Sequence, residues 1–81
     1  MSKAIVVPNS TSVDSNGVIR MYYSCSVLGP PNYDFGSDYV VNTEISVANN
    51  ITAWRNKIIA QVAESGVTIV AGDVILFGLP G

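Results

Sequence analysis

Between Val18 and Leu28 apolar and polar side chains alternate along the chain. Ile19, Met21, Tyr23, Cys25 and Val27 fall on one side, and Val18, Arg20, Tyr22, Ser24 and Ser26 on the other. A period of two predicts a strand with one apolar and one mixed face. Upstream, Lys3 to Pro8 (KAIVVP) reads as a short strand, ended or edged by Pro8, which lacks the N–H a ladder needs. Asn9 to Gly17 is rich in turn formers, and its Asn16-Gly17 pair signals a two-residue hairpin because both positions tolerate positive φ. Gly29 to Asp38 (GPPNYDFGSD) has no regular period and a proline-stiffened start, so a loop is expected there. Tyr39 to Val47 is then the next strand, with Tyr39, Val41, Thr43, Ile45 and Val47 on one face, antiparallel to Val18–Leu28 across that loop.

After this the period lengthens. Asn49 or Asn50 suits an N-cap, and Ile51, Trp54, Ile58 and Val62 follow at spacings of three and four, widened by Ile59 and Ala63. Gly66 suits the C′ position just beyond the helix. The tail returns to strand, with Val67–Ala71 and Val74–Phe77 flanking a tight turn at Gly72-Asp73. Both tail strands are apolar on both faces, so both faces need cover. A helix over 51–64 is about 21 Å long and covers one side of a small sheet. The other side calls for a partner or another copy. The expected fold is α+β, one domain over 1–81: a small antiparallel sheet of about five strands with one amphipathic helix (about 51–64) packed on it.

Composition strengthens the case for association. Only 12% of the 81 residues are charged and the net charge is −2, while 48% are hydrophobic. A typical soluble domain has about 25% charged residues, and disorder is excluded by the hydrophobic content. Domains of this size are marginal and lean on disulfides, metals or oligomerisation. One cysteine forms no internal disulfide, and without histidine it builds no zinc site. Four scattered cations make no basic face, so no nucleic acid is expected as a partner. No apolar run approaches the roughly 20 residues of a spanning helix, and Ala4–Val7 is too short for a signal-peptide core, so no membrane partner is expected either.

Chemistry finds little footing. The commonest general base, histidine, is missing, and Cys25 sits mid-strand on the apolar face as a core thiol. Asp34-Phe35-Gly36 matches the kinase metal-binding triplet in letters only. Asp34 and Asp38 lack the dense acidic spacing of a calcium loop, so turn roles are expected for them. Arg55 and Lys57 are expected as solvated or interfacial cations, and Trp54 as core against the sheet. No catalytic residue, cofactor-binding residue, cofactor or metal ligand is expected. The segment that stands out is the aromatic, proline-stiffened loop, where Pro30, Pro31, Tyr33, Phe35 and Tyr39 are the candidate protein-interface residues.

Residues Ile51 to Leu79 (ITAWRNKIIAQVAESGVTIVAGDVILFGL) resemble the C-terminal half of small structural proteins of tailed-bacteriophage particles. The carriers are Trp54-Arg55, the helix ending at Gly66, and the Gly72-Asp73 turn before an apolar strand. The resemblance implies a virion subunit, either capsid decoration or a tail or fibre accessory, assembled in the host cytoplasm. It implies contact with other virion proteins and copies of itself, as a homo-oligomer, and no catalysis. The rival expectation is a small intracellular dimeric adaptor or inhibitor of a host protein.

Overall fold

The computed structural model describes residues 2–29 and 31–77. Its elements are β1 (Lys3–Val13), β2 (Ile19–Leu28), β3 (Tyr33–Val40), α1 (Val47–Ala63), a 3-10 turn (Ala71–Asp73) and β4 (Val74–Leu76). The fold is α+β, with one helix on a sheet of four strands ordered β3-β2-β1-β4. β1, β2 and β3 form an antiparallel meander, and β4 runs parallel to β1. Parallel neighbours need a long crossover, and α1 provides it.

The expectation of about five antiparallel strands is therefore corrected. Val67–Val70 form no strand: Val67 and Ile69 are buried, while Thr68 and Val70 face out. Gly72-Asp73 lies in the 3-10 turn and delivers the chain to β4, whose neighbour is β1. Gly29–Asp38 is mostly strand rather than loop. Gly29, at φ +110°, turns the chain, and its N–H donates to Asn32 Oδ1 at 2.8 Å. From Tyr33 the residues pair with β2, so Tyr33, Phe35, Ser37 and Tyr39 stand beside Val27, Cys25, Tyr23 and Met21. The Tyr39–Val47 strand is accordingly displaced. Asn42–Ser46 forms a turn, and Ser46, rather than Asn49 or Asn50, caps α1 by accepting from the Asn49 N–H at 3.1 Å.

β1 runs past Pro8 to Val13, with a bulge between Pro8 and Ser10 that leaves Asn9 unpaired in the register. β4 pairs only as far as Leu76, beside Val6, followed by a Phe77 N–H bond to the Val6 carbonyl at 2.9 Å. Beyond that point β1 is an edge among the described residues, where Pro8 needs no donor. The hairpin turn is wider than two residues. Asp14 Oδ1 accepts from the N–H groups of Asn16 (2.8 Å) and Val18 (3.0 Å), and Gly17 takes φ +79° while Asn16 stays at negative φ. A short acceptor side chain followed by a left-handed glycine gives a three-residue loop.

The core lies between sheet and helix. Trp54, Ile58 and Val62 face Ala4, Val6, Tyr23, Cys25, Val27 and Val74, with Val67 and Ile69 closing one end. Trp54 is buried, as expected, with its ring edge-on to Tyr23 at 5.3 Å. Polar ties fix the helix over the sheet. Tyr23 Oη donates to Gln61 Oε1 (2.6 Å), and Gln61 Nε2 donates to Ser37 Oγ (2.8 Å). Lys57 donates to the Asp38 carbonyl, and Arg55 to the carbonyls of Ala71 (3.0 Å) and Val74 (2.6 Å). Arg55 and Lys57 thus serve their own backbone, which corrects the expectation of solvated or interfacial cations.

Candidate functional site

Pleating sends alternate residues of each strand away from α1, and among the described residues nothing covers that side. The pairing sets its rows. Ile75, Ile5, Ser26 and Asp34 stand abreast across β4, β1, β2 and β3. The next row holds Val7, Ser24 and Gly36, followed by Ser10, Tyr22 and Asp38. Lys3 and Leu28 close one end; Ser12, Arg20 and Val40 close the other.

This open face carries apolar side chains on every strand: Ile75 on β4, Ile5 and Val7 on β1, Tyr22 and Leu28 on β2 and Val40 on β3, with Ser24, Ser26 and Gly36 small between them. Val7, Tyr22, Leu28, Val40 and Ile75 each expose 40–45% of their surface, and Phe77, next after β4, exposes 55%. Its four charged groups lie on the periphery. Arg20 and Asp38 pair at 2.8 Å, both partly exposed, so the pair contributes little stability in water. Lys3 stands at one end, and Asp34 on the outermost strand. The middle (Ile5, Val7, Ser24, Ser26) carries no charge.

The residues expected at an interface occupy the other side of the sheet. Tyr33 and Phe35 stack at 6.2 Å and 28°, both half-buried against the core. Tyr39 is buried, with its hydroxyl donating to Asn50 Oδ1 at 2.8 Å. Pro31 is exposed in the turn, and Pro30 lies outside the described residues. Asp34 and Asp38 are strand residues, which corrects their expected turn roles; the turn-forming carboxylate is Asp14. The mixed outer face of β2 already signalled Tyr22. Ile5, Val7 and Ile75 needed the pairing before they fell on one surface.

Two further features belong to the helix side. An open apolar cleft of about 160 Å³ lies between Met21 and Tyr39 of the sheet, Val41 just after β3, and Val47, Ile51 and Trp54 of α1. Cys25 is fully buried, and burial, with the nearby Asp34 charge adding to it, pushes its thiol up to about 11. A protonated, inaccessible thiol is no nucleophile. No protein family, curated protein or solved structure matches the chain.

Proposed function

We propose that this chain is a structural subunit of a bacteriophage particle, a capsid decoration or a tail or fibre accessory that works through protein–protein contacts. The observation that carries the reading is the open face. It presents apolar side chains on a sheet whose opposite side holds the core under α1. Large apolar side chains gathered on one sheet face suit a contact site. The charge-free middle supports protein as the partner, since the centres of protein interfaces are depleted of charge. Asn, Ser and Thr on the rest of the surface hydrogen-bond across contacts without the desolvation cost of ions. The likeness of residues 51–79 to small phage structural proteins supplies the setting. The partners under this reading are other virion proteins and further copies of the chain, in the virion.

Quantitative mass spectrometry of purified particles tests it. The expected result is many copies of the chain per particle, retained through repeated purification. Absence from particles whose lysate contains the chain overturns the reading.

A further inference from the structure

We propose that the open face packs against the same face of a second copy, as a two-fold dimer centred on the β1–β4 half of the sheet. The inference rests on the reading that the chain works through protein contacts, and it names the surface and the partner.

The exposed apolar area suffices for a self-contact. Val7, Tyr22, Leu28, Val40, Ile75 and Phe77, exposed by 40–55%, together leave on the order of 500 Å² open on this side. One such patch covered by its own equivalent makes a contact of roughly 1,000 Å², the lower bound for a biological interface. Self-pairing therefore reaches that lower bound with the apolar side chains alone, and the small polar residues between them add to it.

The layout of side chains on the face is also compatible with itself. In a two-fold contact the same patch serves both copies, so it has to be compatible with itself. An axis lying between the two sheets and running across the strands, between Ile5 and Val7, sets each copy's β4–β1 half over the other's. Apolar then meets apolar. Lys3, Arg20, Asp34 and Asp38 all stand toward the ends or the β3 side, so no charge enters the centre. On β2 the same axis sets Leu28 of each copy toward Tyr22 of the other, and Ser24, Ser26 and Gly36 between them are small, leaving room for a second sheet to close to about 10 Å, the usual spacing of stacked sheets. A net charge of −2 opposes the approach of two copies only weakly.

The test combines sedimentation with a reactivity probe. At about 10 µM the wild-type chain is expected to sediment as a dimer. The Val7→Lys/Ile75→Lys variant changes two exposed positions and is expected to keep its circular dichroism, sediment as a monomer, and raise the dimer Kd at least roughly 100-fold. A wild type that is monomeric at about 100 µM, or a variant that remains dimeric, overturns the proposal. The second outcome would move the contact to a strand edge. Should the double variant unfold, Ser24→Cys decides instead, because native Cys25 is buried and silent. Alkylation at position 24 should slow as protein concentration rises through the dimer Kd; a rate independent of concentration overturns the proposal. Position 24 becoming protected only inside particles leaves the structural-subunit reading standing and rejects self-pairing. A dimer that never enters particles does the reverse.

Discussion

Asn50 uses its whole amide to close the β3–α1 junction, and replacing it should cost more than a surface position normally does. Its Oδ1 accepts from the Tyr39 hydroxyl (2.8 Å) and the Asn42 N–H (2.9 Å). Its Nδ2 donates to the carbonyls of Asn42 (2.9 Å) and Ser46 (3.0 Å). Asn50→Ala removes all four. Each hydrogen bond contributes about 1 kcal/mol net, and the Asn42 and Ser46 groups recover part of that from water, so the expected loss is roughly 2–3 kcal/mol. A domain of this size has only about 5–10 kcal/mol in total. Urea unfolding followed by the fluorescence of the single, buried Trp54 reads the change directly. With a slope near 1 kcal/mol/M, the midpoint should fall by about 2–3 M. Asn50→Asp refines the test. The carboxylate keeps the two acceptor contacts but faces two carbonyls, so it should be destabilised at pH 7 and regain part of the loss as pH falls toward the ordinary aspartate range near 4 and it takes up a proton. An Asn50→Ala midpoint within about 0.5 M of wild type would refute the view that this amide organises the junction.

Trp54→Ala should cost about 3–5 kcal/mol, read as a collapsed melting transition; an unchanged midpoint in a monomeric variant would remove Trp54 from the core. Above pH 9 an unfolded Cys25 loses the proton that the folded thiol holds until about 11, so stability should fall as pH rises through that window, by at most about 2–3 kcal/mol, with no effect below pH 9. Burial pushes the Tyr23 and Tyr39 phenols up as well, so the reading is the difference in slope between wild type and Cys25→Ala over pH 8–10.5; equal slopes would exclude the thiol. Tyr33→Ser/Phe35→Ser strips half-buried rings from the helix side of the sheet and should lower stability by about 2 kcal/mol or more. A variant of normal stability that fails to assemble would place those rings on a partner instead.

The residues legible in the sequence are those whose burial follows one period. The alternation of β2 and the Trp54–Ile58–Val62 stripe are both read correctly because every second, or every third to fourth, position is unmistakably apolar. β3 escapes that reading. Its inward set is Tyr33, Phe35, Ser37 and Tyr39, and a serine engaged by Gln61, with Gly36 beside it, interrupts the apolar signal. Asn50 misleads in a different way. Its side chain does bond the helix's first turn, but from inside the helix, reaching back to the Ser46 carbonyl, so the start is one turn earlier. Val67–Val70 has strand propensity without a strand neighbour, and tertiary packing overrides it. The open face was foreseeable as a requirement, from the doubly apolar tail, but not as a set of residues. Its rows depend on the β3 register and on β4 joining β1 in parallel.

That parallel join also orders events in time. Ala4 pairs with Val74, and between them lie both turns of the meander and all of α1. The hairpins close short loops and form early, whereas β1–β4 closes a loop of most of the chain and forms late. Ile75 and Phe77 take their places only at that step. A nascent or half-folded chain consequently presents an incomplete apolar face, and association through it waits for the finished fold. Substitutions that weaken β4 pairing, such as proline at Ile75, would uncouple the two, leaving a collapsed meander with a naked β1 edge prone to irregular strand addition rather than ordered assembly.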